Sequence, residues 1–71
     1  MPDHPDLLNR LAERRRDANL TQAALAERVA VSRKTVNTVE RGVFVPSTTL
    51  ALRLAAALDC RVEDLFALPD G

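Results

Sequence analysis

Few side chains in this sequence have the types and spacing that catalysis or metal binding requires. Cys60 is the single cysteine, which excludes an internal disulfide and a Cys-rich zinc site, and His4, the single histidine, has no nucleophile or second ligand nearby in sequence. Glu63 and Asp64 are adjacent carboxylates, but no histidine or cysteine pattern accompanies them as further ligands. There is no Ser-His-Asp or Cys-His set and no glycine-rich phosphate loop. The sequence therefore predicts neither an enzyme nor a metal or cofactor site.

Positive charge is concentrated in the first half of the chain, although the formal net charge is zero. Residues 10–41 carry eight Lys and Arg against four Asp and Glu, a balance of +4, whereas residues 42–71 have a balance of −2. Salt screens charges over about 8–10 Å, so a ligand responds to the nearest face more than to the total. This distribution suits a polyanion such as DNA, and it suits an ordinary solvated surface equally well.

The elements that position these charges are predicted to be helices of one domain, residues 1–71. Leu and Ala each occur 11 times, and the Val residues nowhere alternate with polar ones over the length of a strand. A chain of 71 residues has a small core, which either packs efficiently or is shared with a partner. No apolar run approaches the roughly 18 residues of a membrane span, and residues 1–6 lack the pattern of a signal peptide. We expect a cytoplasmic protein without membrane contact.

Capping residues and apolar spacing predict five short helices, at about residues 5–17, 21–29, 32–41, 48–58 and 62–66. Thr21, Ser32 and Ser47 have the side-chain oxygens that cap helix N-termini. Gly42 can close the third helix. Residues 43–46 form an extended connector to the next helix, and Phe44 in this connector is expected to fill the core.

The second and third predicted helices form a helix-turn-helix pair, because only residues 30–32 separate them, and the last of these, Ser32, caps the third helix. Ala26 is small and lies where the two helices would cross, while Val31 and Val36 would seal the contact between them. One helix of the pair is thereby held against the rest of the protein, while the other exposes its outer face to solvent. A projecting helix of this diameter fits the major groove of DNA, where base edges differ in their donors and acceptors.

Residues 21–42, T-Q-A-A-L-A-E-R-V-A-V-S-R-K-T-V-N-T-V-E-R-G, resemble the phage-repressor/Cro-type helix-turn-helix family, also called the xenobiotic-response-element-like (XRE) family. The likeness continues in A-E-R-R-R-D-A-N-L before this segment and in V-P-S-T-T-L-A-L-R-L-A-A-A-L-D-C-R-V-E-D-L-F after it. It implies an all-α, compact five-helix lambda-repressor-like domain whose recognition helix, at about residues 32–41, enters the major groove. It also implies a transcriptional regulator that binds double-stranded DNA, and we expect a repressor.

The resemblance implies two groups of DNA-contacting residues. The base-reading candidates are Ser32, Arg33, Lys34, Asn37 and Thr38. Arg33 or Lys34 can donate to guanine, and the amide of Asn37 matches the edge of adenine, while the division of these residues between bases and phosphates is left open. The phosphate candidates are Gln22, Thr35, Arg41, Phe44 and Ser47. Main-chain amides around Gly42 and Phe44 are expected to approach a phosphate as well. Without the surrounding motif, the same side chains would be interpreted as a solvated helix face.

Arg15 and Glu40 are expected to form a structural ion pair. Arg15 falls on the otherwise apolar face of the first helix, and similar family members pair an arginine and a glutamate at these positions. A partly buried charge is tolerable only when it is paired, so the pair would tie the first helix to the third.

Three positions where the family often has glycine hold Asn19, Ala30 and Asp59. Asn and Asp tolerate a left-handed backbone, whereas for alanine it costs about 1–2 kcal/mol. Ala30 therefore makes the detailed geometry of the turn an open question at this point.

Leu65, Phe66 and Leu68 are either core residues or an exposed patch that pairs two subunits, and we favour dimerisation. A homodimer would match two half-sites about 34–36 Å apart on a two-fold related operator. The alternative function is a protein-interaction module or antitoxin-like adaptor on the same scaffold, which the zero net charge supports. No small-molecule effector is evident. Cys60 is expected to fill apolar space, with a redox switch as the less favoured role.

Overall fold

A computed structural model of the chain describes residues 7–69. Its elements in chain order are β1 (Leu8–Asn9), α1 (Leu11–Asp17), α2 (Gln22–Val29), α3 (Arg33–Glu40), α4 (Thr48–Ala57), α5 (Val62–Leu65) and β2 (Phe66–Ala67). The predicted five-helix architecture is confirmed. Within the described range, each helix is too short or too polar to cross a membrane.

The first helix is shorter than predicted. α1 begins at Leu11, whereas the sequence placed its start at Pro5 or Asp6, which lie outside the described residues. Leu8 falls within the helix predicted at about residues 5–17, but it belongs to β1 and its side chain is 42% exposed. The prediction was wrong because a short apolar run such as Leu7 and Leu8 fits one face of a helix and an extended segment equally well.

A two-stranded antiparallel ribbon joins the two ends of the described chain. β1 pairs with β2 so that Leu8 lies opposite Ala67 and Asn9 opposite Phe66. The side chain of Asn9 reaches further, because its Nδ2 donates to the carbonyl of Val39 at 2.7 Å. Strands this short are not stable alone. The ribbon therefore depends on the packed helices, and Asn9 attaches it to the end of α3.

α2, α3 and α4 begin at the capping residues that the sequence predicted. The side-chain oxygens of Thr21, Ser32 and Ser47 each accept a hydrogen bond from the amide three residues later, at 3.0, 3.1 and 3.1 Å. Each cap satisfies a backbone donor that the helix leaves unpaired, and such a bond contributes about 1 kcal/mol. These bonds fix where the recognition helix starts.

The three predicted non-glycine turn positions all adopt left-handed backbone. The φ angles are 59° at Asn19, 60° at Ala30 and 54° at Asp59. Ala30 ends α2, and the amide of Val31 donates back to the carbonyl of Ala26 at 3.0 Å. The turn between α2 and α3 thus keeps a standard helix-ending geometry, although alanine costs about 1–2 kcal/mol there.

The core lies where the five helices meet. Leu11, Leu25, Leu54 and Leu65 come from four different helices, and each is at most 1% exposed. Ala26 is 3% exposed, as expected of a small residue where α2 and α3 pack closely. The core therefore supports α3 from behind.

Phe44 lies on the surface, contrary to the prediction that it fills the core. Its side chain is 47% exposed, and that of the adjacent Val43 is 67% exposed. Both of their amides donate to the carbonyl of Thr38, at 3.0 Å from Val43 and 3.3 Å from Phe44. These bonds direct the connector along α3 instead of inward. The other phenylalanine, Phe66, is 9% exposed and packs in the core.

Candidate nucleic-acid interface

α3 separates its apolar from its polar side chains. Val36 and Val39 are 2% and 1% exposed, so one stripe of the helix is sealed against the protein. Ser32, Arg33 and Lys34 at the helix start are exposed, and Asn37 and Thr38 are half-buried one turn later. We call these five residues the α3 polar face. The structure thus brings the predicted base-reading residues together on an accessible surface, and their contact with bases stays a prediction.

The start of α3 is positively charged. Its first turn contains Arg33 and Lys34 and no acidic residue. Neither cation forms an ion pair with an acidic side chain among residues 7–69. The N-terminus of a helix also carries the positive end of the helix dipole. An anionic ligand is therefore favoured at this end of the helix.

Arg15 and Glu40, predicted to pair, are in contact. Nε of Arg15 donates to Oε2 of Glu40 at 2.6 Å, and Nη2 donates to Oε1 at 3.2 Å. The two side chains are 11% and 6% exposed. Nη1 of Arg15 donates to the carbonyl of Leu20 at 2.8 Å. One guanidinium thus joins α1, the loop before α2 and the last residue of α3.

The carboxylate of Glu40 is held in its charged form. Burial by itself would raise the pKa of Glu40, but the hydrogen bonds from Arg15 and Gln22 and the nearby charges of Arg15 and Arg16 together outweigh burial, so the pKa lies below its usual value. The ion pair therefore persists at neutral pH and falls apart only in acid.

Gln22 extends this pair towards the α3 polar face, which the sequence did not predict. Its Nε2 donates to Oε1 of Glu40 at 3.0 Å, and its Oε1 accepts from Nδ2 of Asn37 at 3.5 Å. A primary amide has two N–H donors, so one donor of Gln22 is left for a phosphate. The only sequence signal for this network was a polar residue at the first position of α2.

Two further phosphate candidates have hydrogen bonds within the chain. The hydroxyls of Thr35 and Ser32 lie 3.0 Å apart at the start of α3. Ser47 caps α4, as described above. Arg41 is exposed at the end of α3. Of these residues, Arg41 has the longest reach and a full charge for a phosphate.

The main-chain amides after α3 are already engaged. The amide of Gly42 donates to the carbonyl of Val39 at 3.0 Å, and that of Phe44 donates to Thr38 at 3.3 Å. A phosphate at these amides would have to share a donor that already has an acceptor. The predicted phosphate role of Phe44 therefore has no support from its backbone geometry.

The remaining residues that sequence reasoning singled out have structural surroundings. Asp64 accepts from the amide of Arg61 at 2.9 Å at the start of α5. Burial raises the pKa of the Cys60 thiol, so the reactive thiolate is scarce at neutral pH. His4 lies outside the described residues. In the range 7–69, no group of three or more His, Cys, Asp or Glu side chains is placed to hold a metal ion.

The predicted dimer patch is divided between the core and the surface. Leu65 and Phe66 are 0% and 9% exposed and belong to the core, which was the alternative that the sequence left open. Leu68 is 56% exposed.

The sequence did not predict an open groove of about 570 Å³ that lies between residues 43–46, α4 and α5. Its apolar lining consists of Leu7, Val45, Pro46, Ala51, Leu52, Val62 and Phe66.

Comparisons with known sequences give consistent matches. The helix-turn-helix family model matches residues 11–65. The chain is 44% identical over 61 residues to an uncharacterized HTH-type transcriptional regulator of Methanothermobacter thermautotrophicus, an alignment that covers 84% of this chain and 88% of the relative.

Two solved structures have the same fold over most of their length. The restriction-modification controller protein C.AhdI from Aeromonas hydrophila has a TM-score of 0.76 and 40% identity, over 80% of this chain and 86% of that one. The P22 c2 repressor protein, in complex with a synthetic operator, has a TM-score of 0.73 and 33% identity, over 76% of this chain and 82% of that one. The predicted repressor-like fold is confirmed.

Proposed function

Because this chain belongs to the helix-turn-helix family of transcriptional regulators, we propose that it binds specific double-stranded DNA sequences through α3. The observation that carries this proposal is the α3 polar face, which is accessible, positively charged at its start and sealed from behind by Val36 and Val39. A helix supported in this way can enter the major groove without rearranging.

In this proposal the residues of the α3 polar face have different roles. Arg33 and Lys34 donate to guanine O6 and N7, and Asn37 offers an amide to adenine. A well-formed contact of this kind discriminates between bases by about 1–3 kcal/mol. Gln22 and Arg41 contact phosphates on either side, which positions the helix and carries no sequence information.

We further propose that the protein acts as a homodimer on a two-fold related operator and represses transcription by occluding a promoter. Two recognition helices then meet half-sites about 34–36 Å apart. The similarity to the P22 c2 repressor supports the direction of regulation. Leu68 is the dimer candidate that the structure leaves on the surface.

Selection of bound duplexes from a random pool tests the DNA-binding proposal and yields the site. On the selected duplex, Arg33→Ala and Lys34→Ala should each weaken binding by about 5- to 150-fold, the equivalent of about 1–3 kcal/mol. Arg53→Ala is the matched control. Arg53 is an exposed arginine on α4, and the cleft that it lines with Arg28 and Ala30 contains no residue of the α3 polar face. All three variants should keep the helical circular dichroism spectrum and melting temperature. Equal weakening by the control would contradict a specific role for α3.

The alternative function is a protein-interaction module, which the zero net charge favours. Salt dependence separates the two functions, since DNA binding through several phosphates weakens steeply as salt increases. An affinity that is flat with salt, or the failure of any duplex to be selected, would favour the interaction module.

A further inference from the structure

Two large apolar side chains are exposed beside the α3 polar face. Val43 is 67% and Phe44 is 47% exposed. Together with Lys34, Thr35 and Thr38 they line an open cleft of about 360 Å³. One wall of the cleft is therefore part of α3 and the other is the apolar pair.

The cleft is held in shape by the backbone. Gly42 has a φ of 74°, which turns the chain back along α3 as the helix ends. The amides of Val43 and Phe44 then both donate to the carbonyl of Thr38, at 3.0 and 3.3 Å. The position of the apolar pair relative to α3 is thus fixed before any ligand arrives.

Most of the polar groups that line the cleft already have hydrogen-bond partners within the chain. The two amides of the apolar pair are engaged with Thr38, and the Thr38 hydroxyl donates to the carbonyl of Thr35 at 3.0 Å. Lys34 is the single charged residue of the lining. What the cleft offers is apolar surface with one cation beside it.

We propose that Val43 and Phe44 bind the 5-methyl group of a thymine and so help to determine which sequence is recognised; this inference rests on the proposed DNA binding through α3. The thymine methyl is the one apolar group that base edges present in the major groove. A helix inserted there brings the adjoining cleft to the base edges of the same groove. Lys34 then donates to a neighbouring guanine while the apolar pair covers the methyl group.

The experiment compares thymine with deoxyuridine, which lacks the methyl group and keeps every hydrogen-bonding atom. Duplexes of the selected site are made with one thymine replaced by deoxyuridine at a time. For the unmodified protein, replacing the contacted thymine in one half-site should weaken binding about fourfold, because a buried methyl-sized group contributes about 0.8 kcal/mol. The variants Val43→Ala and Phe44→Ala should bind the thymine duplex more weakly and lose most of the difference between the two duplexes.

Leu52→Ala is the matched control, since Leu52 is 58% exposed on α4 and does not line this cleft. It should keep the full thymine preference. The inference is overturned by a selected site without thymine, by equal binding of all deoxyuridine duplexes, or by an unchanged thymine preference in both cleft variants. It is also overturned if Phe44→Ala abolishes self-association in sedimentation, because the cleft would then belong to a subunit contact. If no duplex is selected at all, the DNA-binding proposal itself fails.

Discussion

The ion pair between Arg15 and Glu40 makes a quantitative prediction about stability. Arg15→Met removes the cation and leaves the Glu40 carboxylate 6% exposed with the amide of Gln22 as its remaining side-chain donor. Leaving a buried charge without its partner costs about 3–5 kcal/mol. A chain of this length has a free energy of unfolding of about 4–11 kcal/mol, from about 0.05–0.15 kcal/mol per residue. The variant should therefore lose about a quarter or more of its free energy of unfolding.

Glu40→Gln should cost less, because a glutamine oxygen can still accept from Arg15, whose guanidinium also keeps its bond to the Leu20 carbonyl. We expect a loss of about 1.5–3 kcal/mol, the usual contribution of a hydrogen bond to a charged group. In the double variant no charge is left buried without a partner. Its loss should be smaller than the sum of the single losses by about 1–3 kcal/mol.

Urea unfolding followed by far-ultraviolet circular dichroism measures these free energies. Arg14→Met is the matched control, since Arg14 and Asp64 lie 3.9 Å apart with side chains 42% and 31% exposed. Breaking such an exposed pair should cost less than about 1 kcal/mol. If Arg15→Met cost no more than this control, or if the two single losses added fully in the double variant, the pair would not be the buried connection described here.

Three other measurements test local features. Ala30→Gly should raise the free energy of unfolding by about 1 kcal/mol and the melting temperature by about 4–8 °C, because glycine adopts the φ of 60° without strain; an unchanged or lower melting temperature would contradict this. Ser47→Ala should cost about 1 kcal/mol in urea unfolding through the lost cap of α4, whereas the neighbouring exposed Thr49→Ala should change little. The pKa of Glu40 is lower folded than unfolded, so its contribution is complete above the unfolded pKa and is lost as pH falls through the folded value; Glu40→Gln should flatten this acid dependence, and an identical pH profile would refute the assignment.

Local signals made the central part of the fold predictable. Thr21, Ser32 and Ser47 have short oxygen-bearing side chains that compete for backbone amides within three residues, so the starts of three helices are determined locally. The left-handed turns at Asn19 and Asp59 follow from side chains that tolerate positive φ. The starts of α2 and α3 were predictable from these caps, whereas the turn at Ala30 between the two helices was not.

The parts that sequence did not predict depend on distant contacts. Leu8 gives no local sign that it pairs with Ala67, since two-residue strands have no period to detect. Phe44 was assigned to the core on hydrophobicity alone, but the bonds from the connector to Thr38 hold it outside. The hydrogen bonds of Gln22 likewise need a partner, Glu40, that becomes a neighbour only after α2 and α3 pack.

The ribbon of β1 and β2 has a consequence for the order of folding. Its pairing closes a loop that contains almost all of the described chain, so its entropic cost is met only after the intervening helices have assembled. We expect the ribbon to form after the helices have packed. The same ribbon should open first in native-state hydrogen exchange, while the amides at the centre of α2 and α3 stay protected.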